Sequence, residues 1–193
     1  MNLVIVQYNT GNTCSVSFAL QRLGVTPVIT ADAAQIMSAD KVILPGVGAA
    51  GNAMQYLKNL QLDGVIRSLQ QPVLGICLGM QLMCRFSEED ATECLGIFPQ
   101  AVQRFRGSEK IPHMGWNNLA TAGGPLFHGI EEQAYLYFVH SYYAAVSEHT
   151  VAATDYMHRF SAALQKNNFY GVQFHPEKSG AAGSRLLQNF LAL

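Results

Sequence analysis

A short apolar run, Pro72–Cys77, ends in Gly75-Ile76-Cys77-Leu78-Gly79, and a helical pattern opens at once from Leu78 to Phe86. This spacing demands a strand that turns sharply into a helix. Glycines two positions either side of the cysteine remove the side chains that would collide in such a turn. A strand that leaves its sheet this way belongs to an α/β layer structure, which restricts the fold more than any other segment of the chain. The residues before it agree. Leu3–Val6, Thr26–Thr30 and Lys41–Leu44 are short β-rich runs. They alternate with helical spacing at Val16, Leu20 and Leu23 (stopped by Gly24), at Ala33–Met37, and from about Asn52 to Leu69 with Met54, Leu57 and Leu60 on one face. Such alternation predicts a mostly parallel central sheet flanked by helices.

The second half changes character. Val102–Phe105, Trp116–Leu119, Tyr135–Tyr143, Val151–Tyr156, Ser161–Gln165 and Tyr170–Phe174 read as strands, and a last helix spans about Ala182 to Leu191. The expectation is that these strands add antiparallel neighbours to the parallel core. With 193 residues and no linker, repeat or low-complexity stretch, residues 1–193 read as a single domain.

Apolar residues make up 49% of the chain and charged residues only 13%, with a net charge of −1. So little charge on a soluble protein suggests that another protein covers part of its surface. The absence of any basic run argues against a nucleic-acid or anionic-membrane partner. No apolar stretch approaches the roughly 18 residues of a membrane span, and no leader pattern is visible, so the expected compartment is the cytoplasm. Cys14, Cys77, Cys84 and Cys94 show neither a metal nor a disulfide spacing and are expected to be free thiols. Packing roles suit Cys14, Cys84 and Cys94. No two histidines stand at i, i+3 or i+4, so no metal is expected.

Ligands of a parallel sheet gather at the carboxyl ends of its strands. Cys77 and Pro45-Gly46-Val47-Gly48 both follow such ends. A cysteine at the start of a helix is drawn toward its thiolate form, the nucleophile. Much later in the chain, His175-Pro176-Glu177 offers a general base and a carboxylate that can orient it, with Pro176 stiffening the segment between them. An acyl-transfer centre also needs two oxyanion donors. The Leu78 N–H is the natural first; Val47 or Gly48 is the candidate for the second. Of the remaining histidines, His140 reads as a structural, hydrogen-bonded strand residue, and His113, His128, His149 and His158 fall in turn-like contexts.

With Met80-Gln81 after the elbow, Pro45–Gly48, and Phe174–Glu177, the chain resembles the class I (triad) glutamine amidotransferases. Pro112-His113-Met114-Gly115-Trp116-Asn117, Tyr137–Tyr142 and His175–Gly180 narrow the resemblance to the glutaminase subunits of imidazole glycerol phosphate synthase. It runs over essentially the whole chain. The resemblance implies that Cys77 attacks the side-chain amide of L-glutamine with no cofactor. It further implies that the ammonia passes to a (β/α)8-barrel cyclase subunit, in a heterodimer. There it would convert a phosphoribulosyl-formimino aminoimidazole nucleotide (PRFAR) to imidazole glycerol phosphate and an aminoimidazole carboxamide nucleotide (AICAR). Gln81, Glu89, Ser141, Tyr142 and the Gly48 backbone match glutamine-binding positions. Asn12, Trp116, Tyr137 and Lys178 match the partner-facing positions. The loop Gln7–Ser15 departs from the family pattern except at Gly11-Asn12, so only Asn12 is carried over there. A partner-independent cysteine hydrolase and a non-catalytic binding module remain the alternatives at this stage.

Overall fold

A computed structural model describes residues 1–9 and 12–193; the turn expected over Tyr8–Asn12 therefore lies partly outside the described residues. Its first half runs β1 (Leu3–Val6), α1 (Thr13–Arg22), β2 (Val28–Thr30), α2 (Ala33–Met37), β3 (Lys41–Leu44), α3 (Ala50–Asn59), α4 (Leu62–Ser68), β4 (Val73–Ile76) and α5 (Leu78–Met83). The second half begins with two short strands, β5 (Phe86–Ser87) and β6 (Thr92–Glu93). Then come β7 (Ala101–Arg104), β8 (His113–Asn118), β9 (Thr121–Ala122), β10 (Tyr135–His140), β11 (Tyr142–Ala144), β12 (Thr150–Tyr156), β13 (His158–Lys166), β14 (Phe169–Val172) and α6 (Gly180–Ala192).

The main sheet has eight strands in the order β2-β1-β3-β4-β14-β13-β12-β9. From β2 to β14 every pairing is parallel, and β13, β12 and β9 continue antiparallel. This is the expected architecture. The inner parallel strands β1, β3, β4 and β14 are buried on both faces and their side chains alternate between two cores, while the edge strand β2 is largely exposed. Val4, Val6, Val42, Leu44 and Val73 face α2–α5. Leu3, Ile5, Ile43, Leu74 and Ile76 face α1 and α6.

The structure corrects several boundaries. The helix expected from Asn52 to Leu69 is two, separated at Gln61, which has a left-handed φ of 56°. The helix after Cys77 ends at Met83, since Phe86 and Ser87 are taken into a second sheet ordered β11-β7-β5-β6. The run Tyr135–Tyr143 breaks at Ser141, so β10 pairs with β8 while β11 pairs with β7. His113, expected in a turn, is the first residue of β8. Cys84 and Cys94 pack inside as expected, but Cys14 is exposed on α1, whose buried face falls at Val16, Ala19 and Leu20 instead.

The β8–β10 ribbon is the element that matters most for the site. In its register Tyr137 faces Trp116, Val139 faces Met114 and His140 faces His113. Its inner face carries buried His113, Leu136, Phe138 and His140, while Met114, Trp116 and Tyr135 stand in solvent.

Candidate active site

Cys77 occupies the tip of the expected elbow. Its φ of 53° and ψ of −110° lie far from ordinary strand or helix values, a strained backbone of the kind that functional sites retain. Close packing holds the turn. A Cβ on Gly79 would stand 1.8 Å from the Leu44 carbonyl oxygen, and one on Gly75 would stand 2.8 Å from the Gly79 carbonyl carbon. Neither glycine can be replaced without moving backbone. The Cys77 N–H donates to the Val172 carbonyl at 2.7 Å, so the parallel strand β14 pins the cysteine directly.

Beyond β14 the chain brings His175 beside it. Its Nδ1 lies 2.8 Å from Glu177 Oε1, the two side chains being 4% and 0% exposed. Because a carboxylate only accepts, Nδ1 carries the proton and Nε2 is left for the cysteine. Burial works against a charged ring, but hydrogen bonds to Cys77 and Glu177 outweigh it and hold the His175 pKa up at about 10. The thiol also lies within reach of the Val139 carbonyl, Sγ to O 3.8 Å.

Two further bonds fix the His175 segment to the ribbon. The His175 N–H donates to Tyr137 O at 2.9 Å, and the Tyr137 N–H donates to Ser179 Oγ at 2.9 Å. Ser179 Oγ in turn donates to His175 O at 2.7 Å. The strand that presents Tyr137 to solvent is therefore also a wall of the site.

A cavity of about 230 Å³ opens on Cys77 and is lined by Gly48, Leu78, Gln81, Glu89, Ser141 and Tyr142. Every residue expected to contact glutamine is thus gathered around the thiol. A larger open depression of about 890 Å³ lies at the β9 edge, by Thr121, Gly124 and Asn189, and contains none of them. We take the smaller cavity as the candidate site because it holds the chemistry.

Within it, Gln81 is buried rather than on an exposed helix face. Its amide N–H groups donate to Tyr142 O and to Gln173 Oε1, both at 2.9 Å. Glu89 Oε2 accepts the Ala50 N–H at 2.8 Å, at the start of α3. Burial raises the Glu89 pKa, that hydrogen bond opposes the rise, and Asp90 adds to it.

The oxyanion region is occupied by the protein itself. The Leu78 N–H, expected to face the reacting oxygen, donates instead to the Gly46 carbonyl at 3.3 Å. Val47 is exposed and Gly48 has a φ of +106° with open space around it.

Exposed Trp116 and Lys178 form one group around half-buried Tyr137. The Trp116 and Tyr137 rings meet edge to face at 5.8 Å, and Lys178 Nζ sits 5.8 Å from the Tyr137 ring centre. Asn12 departs from the expectation of an interface residue. It is only 6% exposed, because its amide turns inward toward Glu177 Oε1, 3.5 Å away.

Two residues escaped the sequence reading. Gln173 is fully buried, with Nε2 3.6 Å from Cys77 Sγ. Tyr8 is buried beneath the oxyanion loop and its hydroxyl donates to the Pro45 carbonyl. Burial, with the nearby Cys77, pushes the Tyr8 phenol far above its ordinary pKa, so it stays a neutral donor. The signal was faint in each case: a polar residue next to an apolar strand run. Among the described residues no group of three His, Cys, Asp or Glu is clustered as metal ligands, and no helix is long and apolar enough to cross a membrane.

A cysteine elbow, an adjoining His–Glu pair and a pocket on a parallel sheet define an amidotransferase class of protein. The chain belongs to the glutamine amidotransferase class-I family, which it matches over residues 5–193. Within that family it is similar to the imidazole glycerol phosphate synthase subunit HisH of Bacteroides thetaiotaomicron, at 56% identity over 196 residues and 100% of both chains. The subunit of the same name from Idiomarina loihiensis is 50% identical over 195 residues, covering 100% of this chain and 98% of that one. Among solved structures, a glutamine amidotransferase superposes with a TM-score of 0.77 at 17% identity, covering 98% of this chain and 97% of that one. PurLQS from Thermotoga maritima gives a TM-score of 0.75 at 16% identity, over 99% of this chain and 97% of that one. The two structures bear on the fold alone.

Proposed function

We propose that residues 1–193 act as one amidotransferase domain, the glutaminase subunit of a cytoplasmic imidazole glycerol phosphate synthase. The observation that carries this reading is the gathering of Cys77 and all five glutamine-contact candidates around one small cavity, with the His175–Glu177 pair bonded to that cysteine from beside it. The near relatives of full length supply the synthase.

In this reading, the thiol proton rests on His175 Nε2, in line with that ring's raised pKa, and Cys77 attacks the side-chain amide carbon of L-glutamine. Glu177 holds the ring in the Nδ1–H tautomer and stabilises its cation. The tetrahedral intermediate collapses with His175 protonating the leaving nitrogen. Ammonia departs, and water hydrolyses the γ-glutamyl thioester to glutamate with His175 now acting as base. A cyclase subunit with a (β/α)8 barrel docks on Trp116, Tyr137 and Lys178 and receives the ammonia, converting PRFAR to imidazole glycerol phosphate and AICAR. Transfer out of contact with water keeps the ammonia neutral, the form that is nucleophilic.

The blocked Leu78 N–H implies a resting state. Rotation of the Gly46–Val47 peptide would withdraw the Gly46 carbonyl and turn the Val47 N–H toward the position it leaves, so Val47 becomes the favoured second donor over Gly48. An absent donor costs on the order of 3 kcal/mol of transition-state stabilisation, which makes the loop a sufficient gate. Glutamate release should be measured for the chain alone, with the cyclase, and with cyclase plus its nucleotide ligand. Turnover is expected to rise at each addition. Full activity of the chain alone would remove the partner-gated reading and leave a free-standing cysteine hydrolase.

A further inference from the structure

His113 and His140 face each other across the β8–β10 ribbon, 4% and 5% exposed. His113 Nδ1 lies 2.9 Å from His140 Nε2, and His140 Nδ1 lies 2.7 Å from the Tyr142 carbonyl oxygen. A carbonyl can only accept, so His140 Nδ1 carries hydrogen. In the neutral ring Nε2 is then a lone pair and must receive the hydrogen of His113 Nδ1. His113 Nε2 is left as an acceptor, and Asn117 Nδ2 meets it at 3.3 Å. Every proton along Asn117, His113, His140 and Tyr142 O is thereby assigned, and all donate in one direction.

The surroundings keep both rings neutral. Phe105, Phe138, Tyr156 and Phe160 pack around the pair. Burial holds the His113 pKa down at about 4 and that of His140 at about 3, with the Tyr142 hydrogen bond opposing for His140 and the charge of His175 adding to the depression. A proton added to His140 would set two N–H groups head to head. The far end of the relay is shared. The Tyr142 carbonyl also accepts Gln81 Nε2, whose second N–H reaches Gln173, and Gln173 reaches Cys77 Sγ.

We propose that His113 and His140 are positioning residues, a neutral one-way relay that ties the exposed ribbon to the Ser141–Tyr142 wall of the pocket and so sets glutamine affinity from the partner-facing side. The proposal rests on the reading of that pocket as the glutamine site. Nitrogen NMR of the full chain tests the relay without any turnover. Both rings are expected to show a protonated Nδ1 and a bare Nε2, unchanged between about pH 8 and pH 5.5. A protonated Nε2 on His140, or titration of either ring in that range, would overturn it.

Kinetics in the presence of the cyclase test the consequence. His113→Phe keeps an aromatic ring against Phe138 and Tyr156 but deletes both hydrogen bonds. It is expected to raise KM for glutamine roughly five- to tenfold, with kcat changed by less than about twofold. In His113→Asn the amide nitrogen stands near the former Nδ1, and most of the KM effect is expected to disappear. An unchanged KM in the Phe variant, or a loss confined to kcat, would sink the proposal. A wild-type protein that releases no glutamate with its partner would instead sink the glutaminase reading, and the NMR result would still decide the relay.

Discussion

Two buried histidine sites adjoin strand β10, and they are driven in opposite directions. His175 has the Cys77 thiol and Glu177 Oε1, the latter at 2.8 Å, and is held up at about 10; His113 and His140 have only rings, amides and a carbonyl around them and fall to about 4 and about 3. The exposures of all three are within a few per cent of one another. Burial lowers the pKa of all three rings; whether partners such as Cys77 and Glu177 outweigh it decides which histidine is charged. A carboxylate stabilises imidazolium and suits proton transfer, whereas a peptide carbonyl selects a tautomer and suits a fixed structural link.

The largest test of that contrast removes the rings. His175→Asn should lower glutamate release by about four orders of magnitude or more while leaving circular dichroism unchanged, as should Cys77→Ala. Loss of comparable size from His113→Asn would erase the distinction between the two sites. Next in size is Glu177→Gln, which keeps the shape but takes away the charge. Turnover should fall on the order of 10²- to 10⁴-fold. The His175 pKa, followed by NMR, should drop well below about 10, because burial is then less strongly opposed. A ring that still titrates near 10 would mean that Cys77 alone holds the proton.

A smaller effect is expected on the outer face of the same ribbon. Trp116→Ala should weaken cyclase binding by about 2 kcal/mol, roughly thirtyfold, measured by calorimetry. An unchanged affinity would place the docking surface elsewhere. Stability against pH gives the smallest signal. A histidine with a depressed folded pKa contributes stability that is complete above its unfolded pKa of about 6.5 and is lost as pH falls toward the folded value. For His113 and His140 the window runs from about 6.5 down to about 4 and about 3. His175 has the opposite sign: its contribution is complete below about 6.5 and is lost as pH rises toward about 10. Urea midpoints of wild type should therefore fall faster than those of a His113→Phe, His140→Phe double variant between about pH 6.5 and pH 4.5. Parallel curves would show that the pair is protonated in the fold.

Much of this was legible from local pattern. Strands β1 and β4 are continuous apolar runs, β3 is one after Lys41, and Gly75-Ile76-Cys77-Leu78-Gly79 announces its own turn, because the steric requirements of an elbow are met within five residues. The His175–Glu177 pair was readable for the same reason, since its members lie two residues apart. Short strands were not. Thr121–Ala122 and Phe86–Ser87 carry too little periodicity to declare a period, and they are strands only because a neighbour offers its edge.

The sequence by itself determined a parallel α/β sheet, a cysteine at the edge where ligands gather, and the residue types that make it an acyl-transfer centre. Those properties follow from spacing along a few residues. The tertiary structure alone decided that Asn12 turns inward to Glu177, that Gly46 closes the Leu78 N–H, and that Gln173 stands against the thiol. It also decided that His113 meets His140. Each of these is a hydrogen bond between groups far apart in the chain, and its existence depends on which strands become neighbours, information that no local pattern contains.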